Sequence, residues 1–216
     1  MPPKRTVDYI SFSLWGDQLK YTKGAVENAK YAAKHFKTWR PIFYCSRNVP
    51  QEIIRELYAE KALVVECWGE NQILPSMWRF LAADIPDARY VIFRDCDSRV
   101  TERDYLLVES WTASEKAVHF IQDHPSHKNT LLAGMWGLNV KKFGATFRHL
   151  LEKYCKGREN TYGVDQDFLR HVVWPKAQYD MFLSSDLREK PEYVGQVYDA
   201  DNNPITWSSP TWSEWQ

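Results

Sequence analysis

Apolar residues along this chain fall into short strand-like runs that alternate with stretches of helical spacing. Asp8-Tyr9-Ile10-Ser11-Phe12-Ser13-Leu14 alternates and is rich in strand formers, which predicts a first strand. Trp15-Gly16-Asp17 breaks it, and from Tyr21 to Phe36 apolar and small residues recur at helical spacing. Pro41-Ile42-Phe43-Tyr44-Cys45 is a continuous apolar run, as in a strand buried on both faces. Pro50 opens a helix through Ile53, Ile54, Leu57 and Tyr58, and Ala62 to Cys67 reads as a third strand. Pro75 starts another helix carrying Met77, Trp78, Phe80 and Leu81. Tyr90-Val91-Ile92-Phe93 is then a fourth strand that runs directly into Arg94-Asp95-Cys96-Asp97. This alternation predicts an α/β fold, a mostly parallel Rossmann-type sheet with helices on both faces. Farther along, Ala117–Gln122 and Met135–Val140 read as strands, and Phe143–Cys155 and Asp165–Trp174 as helices. A single domain over residues 1–190 is expected, followed by a loop-rich tail, 191–216, that packs on the domain or trails it.

Composition narrows the function classes. The 216 residues suffice for one sizeable core. Lys plus Arg and Asp plus Glu are 28 each, so bulk charge argues against nucleic-acid or membrane-surface binding while leaving room for a local basic pocket. None of the four cysteines sits at CxxC spacing, which weighs against a zinc site. Three of them lie in or beside predicted strands, where a reduced Cys acts as a small hydrophobe, so a reducing, cytoplasmic compartment is expected. With no N-terminal apolar run of signal or spanning length, the chain as given is expected to be soluble. The ten tryptophans, two of them in the terminal Thr211–Gln216, serve mostly as core and anchors, although aromatic faces also stack on sugar rings.

The acidic loop carries the chemistry. Ligands on parallel sheets bind beyond the carboxyl ends of strands, where Asp95 and Asp97 fall. Two carboxylates one residue apart share a strand face or converge in the following turn. Their hard oxygens suit Mn²⁺ or Mg²⁺, which acts as a Lewis acid on a leaving diphosphate. Arg94 and Arg99 flank the pair and are placed to bind it or a phosphate. The alternative is a solvated turn in which Asp makes local hydrogen bonds.

Tyr90–Val100 followed by a helix resembles the DxD-containing segment of GT-A-fold glycosyltransferases. Three further segments fit in order. Leu132–Val140, with Gly134, is similar to the segment lining the sugar pocket. Tyr162–Leu169 is similar to the acidic helix start that faces the reacting sugar. Met77-Trp78-Arg79-Phe80 is similar to the helix before the DxD strand, whose basic residue reaches the donor. Such domains occur in bacteria and in large DNA viruses. The resemblance implies a nucleotide-sugar donor, UDP being the expected carrier, and a glycan or glycoconjugate acceptor. It implies donor contacts from Ser11, Phe12, Ser13 and Tyr21, with an aromatic ring over the base. It gives Asp165 the role of general base in an inverting reaction, or of stabilising the oxocarbenium-like sugar in a retaining one, and gives Gln166 a hydrogen bond to the donor sugar. Many members complete the metal site with a late His. Here the matching region is Gln178–Phe182, so the third ligand is either Asp180 or the diphosphate with water.

Asp123-His124-Pro125-Ser126-His127-Lys128 leads into the Gly134 strand. His124 and His127 are candidate donor or acceptor contacts, or else part of a polar surface loop. Two other classes stay open: a nucleotide-sugar or carbohydrate-binding module without turnover, and a metal-dependent nucleotidyltransferase. The segment Leu14–Gln18, poor in Gly and in basic residues, argues against the latter.

Overall fold

The computed structural model describes residues 6–67, 72–127 and 131–205. In chain order the elements are β1 (Val7–Leu14), α1 (Leu19–His35), β2 (Trp39–Ser46), α2 (Gln51–Ala59), β3 (Leu63–Cys67), a 3-10 helix (Pro75–Asp84) and β4 (Ala88–Phe93). There follow α3 (Glu102–Ser114), β5 (Val118–Gln122), β6 (Trp136–Asn139), α4 (Val140–Phe143), α5 (Phe147–Cys155), α6 (Val164–Phe168), α7 (Trp174–Ala177) and β7 (Met181–Ser185).

Among the described residues, seven strands form one sheet in the order β3-β2-β1-β4-β6-β5-β7. It is mostly parallel; β6 alone runs antiparallel to its neighbours β4 and β5. No helix lies among the described residues between β5 and β6, and a connection without a crossover element brings the chain back reversed. The carboxyl ends of β1 to β5 and of β7 therefore share one edge, and β6 begins there.

Alternation divides the core. Tyr9, Ile42, Tyr44, Val91 and Phe93 pack on the face covered by the 3-10 helix and α5. Ile10, Phe12, Phe43, Cys45 and Ile92 pack on the other, under α1, α2 and α3. Both faces are buried, which is why β2 and β4 read as continuous apolar runs rather than alternating ones.

Three predicted elements differ in detail. The helix after Pro75 is a 3-10 helix. The predicted helix Phe143–Cys155 is two helices, because Gly144 takes a left-handed conformation (φ 61°) and ends α4. The predicted helix Asp165–Trp174 begins at Val164 and runs to Ala177 through a π-turn at Leu169–Val173. Pro175 supplies no amide hydrogen there, and the wider turn accommodates the gap. Strand β7 carries no clear sequence signal, being short and only partly buried, without clear alternation. Among the described residues, no helix is long and apolar enough to cross a membrane.

Candidate active site

β1 sets the geometry. Its Ser11 and Ser13 point to the 3-10 helix, and both are buried. Ser11 Oγ donates to the Arg79 carbonyl at 2.7 Å, and Ser13 Oγ accepts from the Arg79 amide at 2.8 Å. Two serines at core positions of a strand thus clamp the backbone of one residue. Arg79 is itself buried, and its guanidinium donates to Asp95, to the Arg94 carbonyl at 3.2 Å and to Asp165 Oδ2 at 2.7 Å. Residues 16 and 86 positions apart are so joined by one fork of hydrogen bonds. Asp165 stands at the start of α6, and burial raises its pKa, opposed by Arg79 and reinforced by Asp95.

Asp97 turns toward α1. Its Oδ2 lies 3.5 Å from Lys20 Nζ, and its carbonyl accepts from the Tyr198 amide at 2.8 Å. Burial pushes the Asp97 carboxyl up to about 6, helped by the charge of Asp95 and opposed by Lys20. Tyr21, half-buried, also faces this loop: burial and the two carboxylates push its hydroxyl pKa up. The loop backbone is braced from α1. Asn28 Nδ2 donates to the carbonyls of Ser98 (2.7 Å) and Cys96 (3.3 Å), and its Oδ1 accepts from the Val100 amide at 3.0 Å. Lys20 and Asn28 were missed in the sequence, where each is an ordinary helix residue; only the packing of α1 on the loop singles them out.

Gly134, just before β6, lies against Asp95. A Cβ there would overlap the Asp95 carboxylate, so glycine is needed for the close approach. If this loop binds a nucleotide with a cation, Gly134→Ala is expected to displace Asp95 and weaken that binding about tenfold, with little change in melting temperature; calorimetric titration beside a thermal melt checks it.

Several expected contacts are corrected by the geometry. Phe12 is fully buried and stacks on Phe43 at 4.6 Å, so it is a core residue and not a base platform. Ser11 and Ser13 act on Arg79 rather than on a donor. Arg94 follows the alternation of β4 to the opposite face from Asp95, where it pairs with Asp104 of α3 at 2.7 and 2.8 Å. Neither it nor Arg99 reaches the site: Arg99 bonds the Cys96 and Ser98 carbonyls and Asn202. Asp180 precedes β7 at the other edge of the sheet, held by Lys116 at 3.1 Å and Lys142 at 3.8 Å, and cannot join Asp95 and Asp97. Among the described residues, no cluster of three or more His, Cys, Asp or Glu side chains is placed to share a metal ion. Gln166, partly buried, donates its backbone N–H to Asp165 Oδ1 at 2.9 Å.

His124 and His127 lie past the carboxyl end of β5, on the edge that carries the acidic loop, and Lys128 is outside the described residues. They anchor the segment after β7. His124 stacks on Tyr193 at 4.2 Å, and His127 Nδ1 accepts from the Asp123 amide at 3.1 Å. Asp123, buried, accepts from Arg103 twice at 2.6 Å, from Lys190 at 3.2 Å and from the Val194 amide at 2.9 Å. Burial, helped by the charge of His124, lowers the His127 pKa to about 4. Its value in the unfolded chain is higher, so the neutral-His stability is complete above about pH 6.5 and is lost as pH falls toward 4. Between pH 7 and 5, wild type is expected to lose about 2 kcal/mol more stability than His127→Gln, measured by urea unfolding.

A cavity of about 750 Å³ opens on the same edge, over β1, β2 and β3. Trp15, Arg47, Asn48, Trp78, Lys156 and Arg158 line it, and Trp78 adjoins Arg79 in the 3-10 helix. Its size and mixed aromatic and basic lining suit a nucleotide-sized ligand.

No family model matches the sequence, and no curated protein matches it. Solved structures do. A fragment of TarS from S. aureus, in complex with UDP, superposes with a TM-score of 0.59 at 12% identity, covering 89% of this chain and 61% of that one. The glycosyltransferase GlyE of Streptococcus pneumoniae gives 0.56 at 19% identity, covering 84% and 45%. The 4-diphosphocytidyl-2C-methyl-D-erythritol synthase of Anaerococcus prevotii gives 0.54 at 11% identity, covering 95% and 94%. The chain thus spans about half to three-fifths of the two glycosyltransferase structures and nearly all of the synthase. What these likenesses share is architecture: the chain has a GT-A-like α/β fold built on one mostly parallel, seven-stranded sheet.

Proposed function

We propose that this chain is a glycosyltransferase that moves a sugar from a nucleoside diphosphate, UDP in particular, to a hydroxyl of a glycan or glycoconjugate. The observation that carries this reading is the buried Arg79, which binds Asp95 and Asp165 together. A solvated turn has no need of such a partner. The residues fit a divalent cation: Asp95 and Asp97 offer hard oxygens, Gly134 leaves room for the Asp95 carboxylate, and three carboxylates face two cationic side chains. Asp95 and Asp97 would hold Mn²⁺ or Mg²⁺, whose Lewis acidity favours departure of the diphosphate. With Asp180 far away, the remaining ligands would come from the diphosphate and water.

The chain's own groups then divide the work. The cavity takes the nucleoside, with Trp15 and Trp78 as apolar walls and Arg47 as a cationic one. Gln166 hydrogen-bonds the donor sugar. As the acceptor oxygen bonds to the anomeric carbon, the bond from that carbon to the diphosphate oxygen breaks. Asp165, its pKa raised by burial, takes the hydroxyl proton in an inverting reaction; in a retaining one it stabilises the positive sugar. Arg79 keeps Asp165 oriented.

Calorimetric titration of UDP and of GDP, each with Mn²⁺ and with EDTA, tests the site, followed by a screen of UDP-sugars for released UDP. Cation-dependent UDP binding and turnover are expected. Binding without turnover under any donor would favour a binding module, and no binding by folded protein would overturn the reading. A nucleotidyltransferase is the second reading, favoured by the synthase structure that matches along nearly its whole length. It predicts release of pyrophosphate from a nucleoside triphosphate, which the same assay distinguishes.

A further inference from the structure

We infer that the segment after β7 positions Asp97 from behind the acidic loop, with Gln196 as the positioning residue that clasps this segment shut. The inference rests on the functional reading above and extends it to residues remote in sequence from the carboxylates. The chain leaves β7 beside β5, is bonded to Asp123 at the Val194 amide, and reaches the acidic loop at Val197, which forms an antiparallel bridge with Ser98. There the Tyr198 amide donates to the Asp97 carbonyl at 2.8 Å. The chain then turns back: Tyr198 bridges Pro204, and the Ile205 amide donates to the Val197 carbonyl at 2.8 Å. Gln196, buried, closes this turn, its Nε2 donating to the carbonyls of Val197 (2.9 Å) and Ile205 (2.8 Å). At the tip, Asp199 Oδ1 accepts from the amides of Asp201 and Asn203, each at 2.9 Å. The same segment backs the residue beside Gly134: Gly195, left-handed at φ 83°, lies so close to Met135 that a Cβ would fall 2.5 Å from its Sδ.

The acidic loop has no regular structure of its own, so the donors to its carbonyls set its shape. The carbonyls of Cys96 and Ser98 accept from Asn28 and Arg99, and that of Asp95 accepts from Ser98 Oγ at 3.1 Å. Those braces come from α1 and from the loop itself. The Asp97 carbonyl is held instead from the segment after β7. That bond fixes the peptide plane that follows Asp97, and the carboxylate takes its direction from this backbone. Groups that orient a metal ligand without touching the metal typically carry about 10–100-fold of its affinity. Gln196 acts one bond farther back, through Val197 and Tyr198, which puts its share at the low end. Its loss leaves the apolar anchors of the segment, Val194 and Ile205, buried in place, so the fold should survive.

The test is Mn²⁺ binding to the full chain in saturating UDP, read as free Mn²⁺ by electron paramagnetic resonance. Gln196→Leu, similar in size but without the two bonds, is expected to bind Mn²⁺ about tenfold more weakly than wild type. Its affinity for UDP in EDTA should not change, and its turnover should return toward wild type when Mn²⁺ is raised about tenfold. A merely structural role would lower the melting temperature and leave the Mn²⁺ affinity of the folded protein alone. Asp199→Ala loosens the tip of the same turn from the surface and is expected to weaken Mn²⁺ in the same direction by a smaller factor. It decides the matter should Gln196→Leu not fold. The inference is overturned if the folded variant binds Mn²⁺ as wild type does, or if excess Mn²⁺ fails to restore turnover. Either result, with wild type binding Mn²⁺ and UDP, leaves the transferase reading standing. Failure of wild type to bind Mn²⁺ with UDP would bring down both.

Discussion

Asp97→Asn is expected to lower sugar transfer about 10²–10³-fold while the protein stays folded. The substitution keeps the size of the side chain and leaves the backbone bond from Tyr198 in place. Stability should move little, because the ionised carboxylate is itself disfavoured where it sits: its pKa is raised to about 6 by burial and by Asp95. Neutralising it removes a charge the fold tolerates poorly, which offsets the loss of the Lys20 ion pair. The two readings of the acidic loop therefore separate cleanly. If Asp97 only shapes a turn, a neutral isostere leaves turnover nearly intact. If it helps hold the cation at the leaving diphosphate, transition-state stabilisation is lost with the ligand. The measurement is the rate of UDP release at saturating donor, beside a thermal melt of the same sample. A loss of less than tenfold in folded protein would count against the proposed role. Asp95→Asn is a less clean experiment, since it also loosens Arg79 and through it Asp165.

Arg94→Met is expected to cost about 3–5 kcal/mol of stability, because it leaves Asp104 charged and unpaired in the interior. Arg94 and Asp104 are both essentially inaccessible, at 1% and 0% exposure. Besides its two bonds to Asp104, the guanidinium donates to the Phe93 carbonyl at 2.8 Å and the Trp136 carbonyl at 3.0 Å, tying β4 to β6 just below the acidic loop. For a chain of this length the loss corresponds to a melting temperature lower by about 10 °C. Arg94→Met combined with Asp104→Leu should recover much of it, since two apolar groups replace the pair without a stranded charge. Urea unfolding of the three variants checks the order. A phosphate-binding Arg94 would behave in the opposite way, with stability kept and UDP affinity lost. The geometry predicts UDP affinity per folded molecule close to wild type in the double variant.

The sequence by itself determined the α/β alternation, the burial of both sheet faces and the position of the acidic loop. Each follows from local chemistry that needs no partner: β2 and β4 are continuous apolar runs, Pro50 and Pro75 open helical turns, and a charged Asp95-Cys96-Asp97 ends an apolar strand. It also marked Arg79, Gly134 and Asp165 as candidates, though not as neighbours. Only the tertiary structure decided that the fork of Arg79 joins Asp95 to Asp165 and that Gly134 is the space beside that carboxylate. The same holds for the residues whose roles changed. The alternation of β4 continues past Phe93, so Arg94 went to α3 while Asp95 faced the 3-10 helix. Ser11 and Phe12 parted likewise in β1. Asp180 was placed by strand order, which set β7 beside β5 and its start at the far edge. Lys20 and Asn28 left no mark in the sequence, because a helix residue acquires a function only from what its face is packed against.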